Sequence, residues 1–166
     1  MSIFGPDADK AAILERINRT FCSMVPHNES LGLTMTDYDE GAAVIRLPYS
    51  TRLVGNPDTG VLHGGAITAL LDATCGAAVF MKLMSPIPIA TLDLRIDYLK
   101  PATPSQDVFA RAECFKLARN VAFARAIAYQ TAGDPIATAA ATFMISTPGK
   151  TAMAPIGGDG SKATDG

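Results

Sequence analysis

The feature that most limits what this chain can become is a stretch of twenty-three residues, Val61 to Leu83, carrying only two formal charges, Asp72 and Lys82. It is apolar nearly all round, which marks a helix buried in protein, not one with a wet face. Gly64, Gly65, Asp72 and Lys82 interrupt it too often for a membrane span. Such a helix has to be enclosed by the rest of the chain.

The second half supplies the enclosure. Thr91 to Leu99, Asp107 to Leu117, Val121 to Gln130 and Ile136 to Thr147 are four runs of strand length, separated by turn signals at Pro101 to Gln106, Ala118 to Asn120 and Gly133-Asp134-Pro135. Connections this short make successive strands antiparallel neighbours in the simplest arrangement. Ala122, Ala124, Ala126 and Ala128 in one run, and Ala137, Ala139 and Ala141 in another, set small side chains on one face, which lets a sheet curve tightly. Upstream, Leu33 to Asp37 and Ala43 to Leu47 flank Asp39-Glu40-Gly41 and read as a hairpin.

Asp7 to Met24 mixes charged and apolar residues at helical spacing, with Ile13, Leu14, Ile17, Phe21 and Met24 able to share a stripe and Pro26 closing it. The expected fold is therefore α+β: one domain over residues 1–147, an antiparallel sheet rolled on a long central helix, with an extra N-terminal helix over 7–24. Pro148 to Gly166, rich in Gly, Ala, Ser, Asp and Pro, reads as a flexible tail.

With 166 residues, 48% of them hydrophobic and 18% charged, the chain fits one domain with a sizeable core. A net charge of -2 and a pI near 5.6, without any Lys/Arg-rich block, leave no electrostatic footprint for nucleic acid. Met1 to Asp7 shows no basic segment leading into an apolar one, so a cytoplasmic location is expected. Cys22, Cys75 and Cys114 are odd in number and set among apolar residues, which suits reduced core thiols. Two histidines, His27 and His63, and no His-Glu-x-x-His leave a catalytic metal without ligands. The absence of Gly-x-Ser-x-Gly argues against a serine triad.

Chemistry concentrates at the start and middle of the central helix. The first turn of a helix has backbone N–H groups without partners, and its dipole favours negative charge. Gly64 and Gly65 fall in that turn and let a ligand oxygen approach, making it a candidate oxyanion hole; the alternative is that they only let the helix pack closely. Asp72 is a poor helix former in an apolar setting, fit for acid/base work, or else bonded to a backbone amide or paired with Arg95. Gly65, Thr68, Ala69, Cys75 and Gly76 surround it at helical spacing, a groove of small residues with a carboxylate in its floor.

Gly64 and Asp72 are eight residues apart, about 12 Å along a helix axis, too far to touch one carbonyl group. If both act, they come from different subunits of a twofold dimer with antiparallel central helices. His63 fixes the helix start through hydrogen bonds or transfers a proton.

Asn56, then Gly60-Val61-Leu62-His63-Gly64-Gly65, then Asp72, then Thr91 to Ala102 containing Tyr98-Leu99-Lys100-Pro101, resemble the PaaI-like acyl-CoA thioesterases of the hotdog fold from about Leu31 to Thr147. The resemblance implies hydrolysis of an acyl-CoA to free acid and coenzyme A, with no separate cofactor. It implies an oxyanion donor at Gly64, a nucleophile or general base at Asp72 of the partner subunit, and Asn56 and Thr91 placing the carbonyl or water. Substrate contacts would fall at Gly65, Tyr98 and Lys116 to Val121, including Ala118, Arg119 and Asn120; the family commonly has a glycine before the basic residue of that hairpin. Lys116 and Arg119 are candidates for the phosphates of coenzyme A.

A homodimer, often paired into a tetramer, would be its own partner, with neither nucleic acid nor membrane involved. Alternative readings are a hotdog hydratase or dehydratase, for which His63 is poorly placed, and a non-catalytic acyl-CoA binding or sensing module.

Overall fold

The computed structural model describes residues 9–85 and 87–146; the expected tail, 148–166, lies outside them. In chain order the elements are α1 (Lys10–Ile17), a π-helical turn (Asn18–Ser23), α2 (Pro26–Leu31), β1 (Thr34–Asp39), β2 (Ala42–Leu47), β3 (Val54–Asn56), β4 (Val61–Leu62), α3 (Gly64–Leu83), β5 (Ile89–Tyr98), β6 (Val108–Leu117), β7 (Val121–Thr131) and β8 (Asp134–Ile145). Six strands form one antiparallel sheet in the order β1-β2-β6-β7-β8-β5, with β3 and β4 as a separate pair.

The central helix, α3, is shorter at its start than the apolar run because Val61 and Leu62 pair with Val54 and Asn56. It is long and apolar enough to cross a membrane by length and composition, yet 61% of its most apolar window is buried inside the protein. Leu70, Leu71, Thr74, Cys75, Ala78 and Val79 are sealed against the sheet. The seal depends on alanines. Ala124 pairs with Ala141, Ala126 with Ala139 and Ala128 with Ala137, while Ala110 and Ala112 continue the row on β6. All are buried, so the helix lies close on a floor of methyl groups, and larger side chains there would have to displace it.

Two sequence expectations need correction. Nearest-neighbour pairing holds for β6, β7 and β8 but fails for β5, which pairs with β8 on the far side and not with β6. The Pro101 to Gln106 segment is thus a crossover, not a hairpin turn. Pro26 does not merely end an N-terminal helix: it opens α2 at its first position, and Gly32, with φ +68°, closes α2. Proline at a start and glycine just past an end is the usual asymmetry of helix termini, so α2 was legible in the sequence. The N-terminal helix itself ends at Ile17 and loosens into the π-helical turn.

Buried and free, the three cysteines match the expectation of core thiols. Burial pushes the Cys75 thiol up to about 12, with the nearby Asp72 charge adding to the effect.

Candidate active site

Helix α3 opens on a crowded turn. His63 is its N-cap, with extended φ/ψ of -64° and 135°, and its Nδ1 accepts the Gly65 amide at 2.9 Å. A Cβ on Gly65 would lie 2.9 Å from that same Nδ1, so the cap requires glycine there. The capping role expected of His63 is therefore the one observed. The Gly64 carbonyl accepts Tyr98 Oη at 2.7 Å and Thr68 Oγ1 at 3.1 Å, and those two hydroxyls are 2.9 Å apart. Among the described residues the Gly64 amide has no acceptor. Of the two glycines, Gly64 keeps the open donor at the positive end of the helix.

Two turns further on, Asp72 is half-buried and its Oδ1 accepts Thr91 Oγ1 at 2.9 Å. The alternative partner, Arg95, faces the other side of β5 and pairs with Asp97 at 3.1 Å. Thr91 and Tyr98 reach α3 together because of a bulge. Thr91 lies opposite Phe143 but Asp93 lies opposite Thr142, so Leu92 is the extra residue. In a regular strand, residues seven apart point to opposite faces; one inserted residue restores them to the same face.

The groove around Asp72 has a volume of 530 Å³, and its floor is Gly65, Thr68, Ala69, Asp72 and Gly76, the small-residue face expected from helical spacing except for Cys75, which is turned into the core and fully buried. Its rim includes residues that spacing did not suggest: Phe21, Val25, His27 and Asn28 from the π-helical turn and α2. The short helix opened by Pro26 carries two of these, His27 and Asn28, and is capped by a third, Val25, so recognising α2 would have brought them into view.

Not every expected residue joins this groove. Asn56 is exposed, and its Oδ1 accepts the Asp58 amide at 3.0 Å within the turn between β3 and β4. The hairpin carrying Lys116, Ala118, Arg119, Asn120 and Val121 lies toward the Leu83 end of α3, where Gly41 approaches both Lys82 and Cys114. Nineteen residues of helix separate that end from Gly64, about 28 Å. Within one chain, therefore, the hairpin and the Gly64 amide do not meet.

The side of the groove along β5 is open, for β5 ends the sheet with its outer edge unpaired over ten residues, and Leu92 and Tyr98 on it and Leu99 just beyond it are at least half exposed. Long apolar edges of this kind are rarely left bare. No group of His, Cys, Asp and Glu suited to holding a metal ion occurs among the described residues. The start and middle of α3 present an open backbone donor and a carboxylate.

Residues 59–137 match the profile of the thioesterase superfamily. A Halobacterium salinarum protein named as an esterase is 34% identical over 97 residues, which are 57% of this chain and 63%, under two thirds, of that one. The medium/long-chain acyl-CoA thioesterase YigI of Salmonella typhimurium is 27% identical over 145 residues, 80% of this chain and 93% of its own. Among solved structures, a Pseudomonas aeruginosa protein is 48% identical with a TM-score of 0.71, covering 79% of this chain and 97% of that one. The phenylacetic acid degradation protein PaaI of Thermus thermophilus, as a mutant, is 28% identical with a TM-score of 0.63, covering 72% and 97%. With the central helix, the rolled antiparallel sheet and the carboxylate groove, these similarities give the chain the hotdog fold and make it similar to the PaaI-like members of the thioesterase superfamily.

Proposed function

We propose that the chain hydrolyses an acyl-CoA to the free acid and coenzyme A at two identical sites shared across a homodimer. One observation carries this reading: Asp72 is oriented by Thr91 in an apolar-walled groove, while the Gly64 amide at the helix start is open to an incoming oxygen. The name of YigI as a medium/long-chain acyl-CoA thioesterase supports the substrate class. The thioester carbonyl accepts the Gly64 amide, whose dipole-end position favours the negative charge that develops on the oxygen. Asp72 of the partner subunit either takes a proton from water, which adds to the carbonyl carbon, or adds to it directly. The carbon–sulfur bond then breaks and coenzyme A leaves as its thiolate; on the direct route the acyl-Asp72 anhydride is then hydrolysed by water, releasing the acid and restoring the carboxylate.

Two features support the shared site. The edge strand β5 is bare beside the groove. With α3 antiparallel across a twofold axis, the Leu83 end of one helix lies beside the Gly64 end of the other, which brings the Lys116 to Val121 hairpin to the carbonyl site. Lys116 and Arg119, both exposed, are then placed for the phosphates of coenzyme A, and Tyr98 and Gly65 border the thioester. Asn56 remains in this scheme as a placer of the carbonyl or water, a role that needs its side chain to leave the Asp58 amide. The proposal extends to a cytoplasmic enzyme, free of cofactor beyond the coenzyme A of its substrate, whose dimers pair into tetramers.

The purified protein is expected to release thiol from acyl-CoAs in an assay spanning short-chain, long-chain and aromatic acyl groups; silence on all of them would sink the hydrolase reading. Thr91→Val should lower kcat about tenfold with little change in KM, because Asp72 loses its orienting bond but not its charge. An unchanged kcat would remove Thr91 from the site.

A further inference from the structure

Two cavities meet at a pair of aromatic rings. Phe21, from the π-helical turn, and Phe80, from α3, lie edge to face with centroids 6.2 Å apart and planes inclined at 71°. Both border the Asp72 groove, and both border a second recess of 410 Å³ whose other walls include Ile17, Met35, Ala77 and Met81. That size is within the range of about 300–1,000 Å³ typical of small-molecule pockets. The ring pair is thus the wall between the carboxylate groove and an apolar chamber.

The turn that carries Phe21 is held by two asparagines. Asn28, only 7% exposed, donates its Nδ2 to the Phe21 carbonyl at 3.0 Å. Asn18 clamps the backbone of Met35, accepting its amide at 2.7 Å and donating to its carbonyl at 3.0 Å. The turn between these two asparagines has π-helical geometry, a form that recurs where a side chain must be re-aimed at a functional site. Among the described residues the chamber's lining holds no carboxylate and Arg16 is its one charged side chain, so an apolar tail suits it better than a polar group.

We infer that Phe21 and Phe80 form a length gate for the acyl chain: carbons near the thioester fill the Asp72 groove, and the tail of a longer saturated chain passes the ring pair into the second recess. The inference rests on the groove being the thioester site, and it names the substrate as an acyl-CoA with a medium or longer chain. Neither ring touches the reacting atoms; they determine specificity by where the tail can go.

The test uses S-alkyl-coenzyme A thioethers, which cannot be hydrolysed, from butyl to hexadecyl, with dissociation constants measured by calorimetry for wild type, Phe80→Trp and Thr20→Trp. Thr20 is exposed at the recess, so a tryptophan there fills it without disturbing the core should Phe80→Trp fold poorly. In the wild type, affinity should rise about fourfold for each methylene that enters the recess. In either tryptophan variant the rise should stop early, while butyl-coenzyme A binds within about twofold of wild type; a dodecyl chain deprived of four methylene contacts would bind roughly two-hundredfold more weakly.

Identical length profiles in wild type and a folded Thr20→Trp would overturn the gate. Hydrolysis of butyryl- through palmitoyl-CoA is measured alongside. Loss of all hydrolysis with the thioether profile intact would refute the catalytic reading and leave the gate standing; normal hydrolysis with a flat thioether profile would do the reverse.

Discussion

Asp72→Asn is expected to lower kcat for thioester hydrolysis by about 10²–10⁴-fold, the usual contribution of a positioned general base, while the melting temperature stays near that of the wild type. Asparagine keeps the shape of the side chain, and its Oδ1 still accepts Thr91 Oγ1, so the half-buried site keeps its packing and its hydrogen bond. What it loses is the charge that activates water or attacks the carbonyl. Thiol-release kinetics and differential scanning calorimetry on the same preparation separate chemistry from folding. A variant retaining more than about a third of wild-type kcat would remove Asp72 from the mechanism.

Gly64→Pro tests the other half of the site, and the local geometry makes it an unusually clean change. Proline is accommodated at the first position of a helix, and Gly64 is that position. The residue before a proline has to be extended, and His63 is, at φ -64° and ψ 135°. The Gly64 amide has no acceptor among the described residues, so its loss breaks no bond of the fold. An added Cβ would meet Tyr98 Oη at 3.3 Å, a contact that an exposed phenol can relieve by a small shift. Removal of one oxyanion donor should then lower kcat by roughly 10²–10³-fold. Gly64→Ala carries the same Cβ and keeps the amide, and should stay within about tenfold of wild type; equal losses in the two variants would assign the effect to crowding.

These variants also decide whether a site spans two chains. Each mixed dimer of Gly64→Pro with Asp72→Asn holds one site with both groups intact and one with neither, if Gly64 of one chain works with Asp72 of the partner subunit. Mixing and reassembling equal amounts should restore about a quarter of wild-type activity, since half the dimers are mixed and each has one working site of two. Sites confined to single chains would give no recovery.

The sequence alone determined a good deal, and for a local reason. An apolar run with glycines at its start must be a buried helix, and helical spacing places Gly65, Thr68, Ala69, Asp72 and Gly76 along one groove and Ile67, Leu70, Leu71, Ala78 and Met81 in the core, as found, although Cys75, expected in the groove, is sealed in the core. The alternation of alanines in β7 and β8 likewise showed which face receives the helix. Periodicity is a property of neighbours in the chain, so it survives without knowledge of the fold.

Tertiary structure decided what periodicity cannot reach. The partner of β5 is β8, because a crossover carries the chain across the sheet before β6 begins, and nothing in the Pro101 to Gln106 turn signals says so. Thr91 and Tyr98 share a face only through the bulge at Leu92, which becomes visible once β8 fixes the register. The partner of Asp72 is Thr91 and not Arg95 for the same reason. Phe21 meets Phe80 because the chain between Asn18 and Ser23 leaves α-helical geometry, a departure held by side-chain bonds to Met35 and Phe21. Each is a pairing between residues distant in sequence, set by packing and hydrogen bonding that only the assembled fold supplies. The apolar run thus specified a helix with a donor at its start and an acid at its middle, and the fold around it determined which residues face that acid.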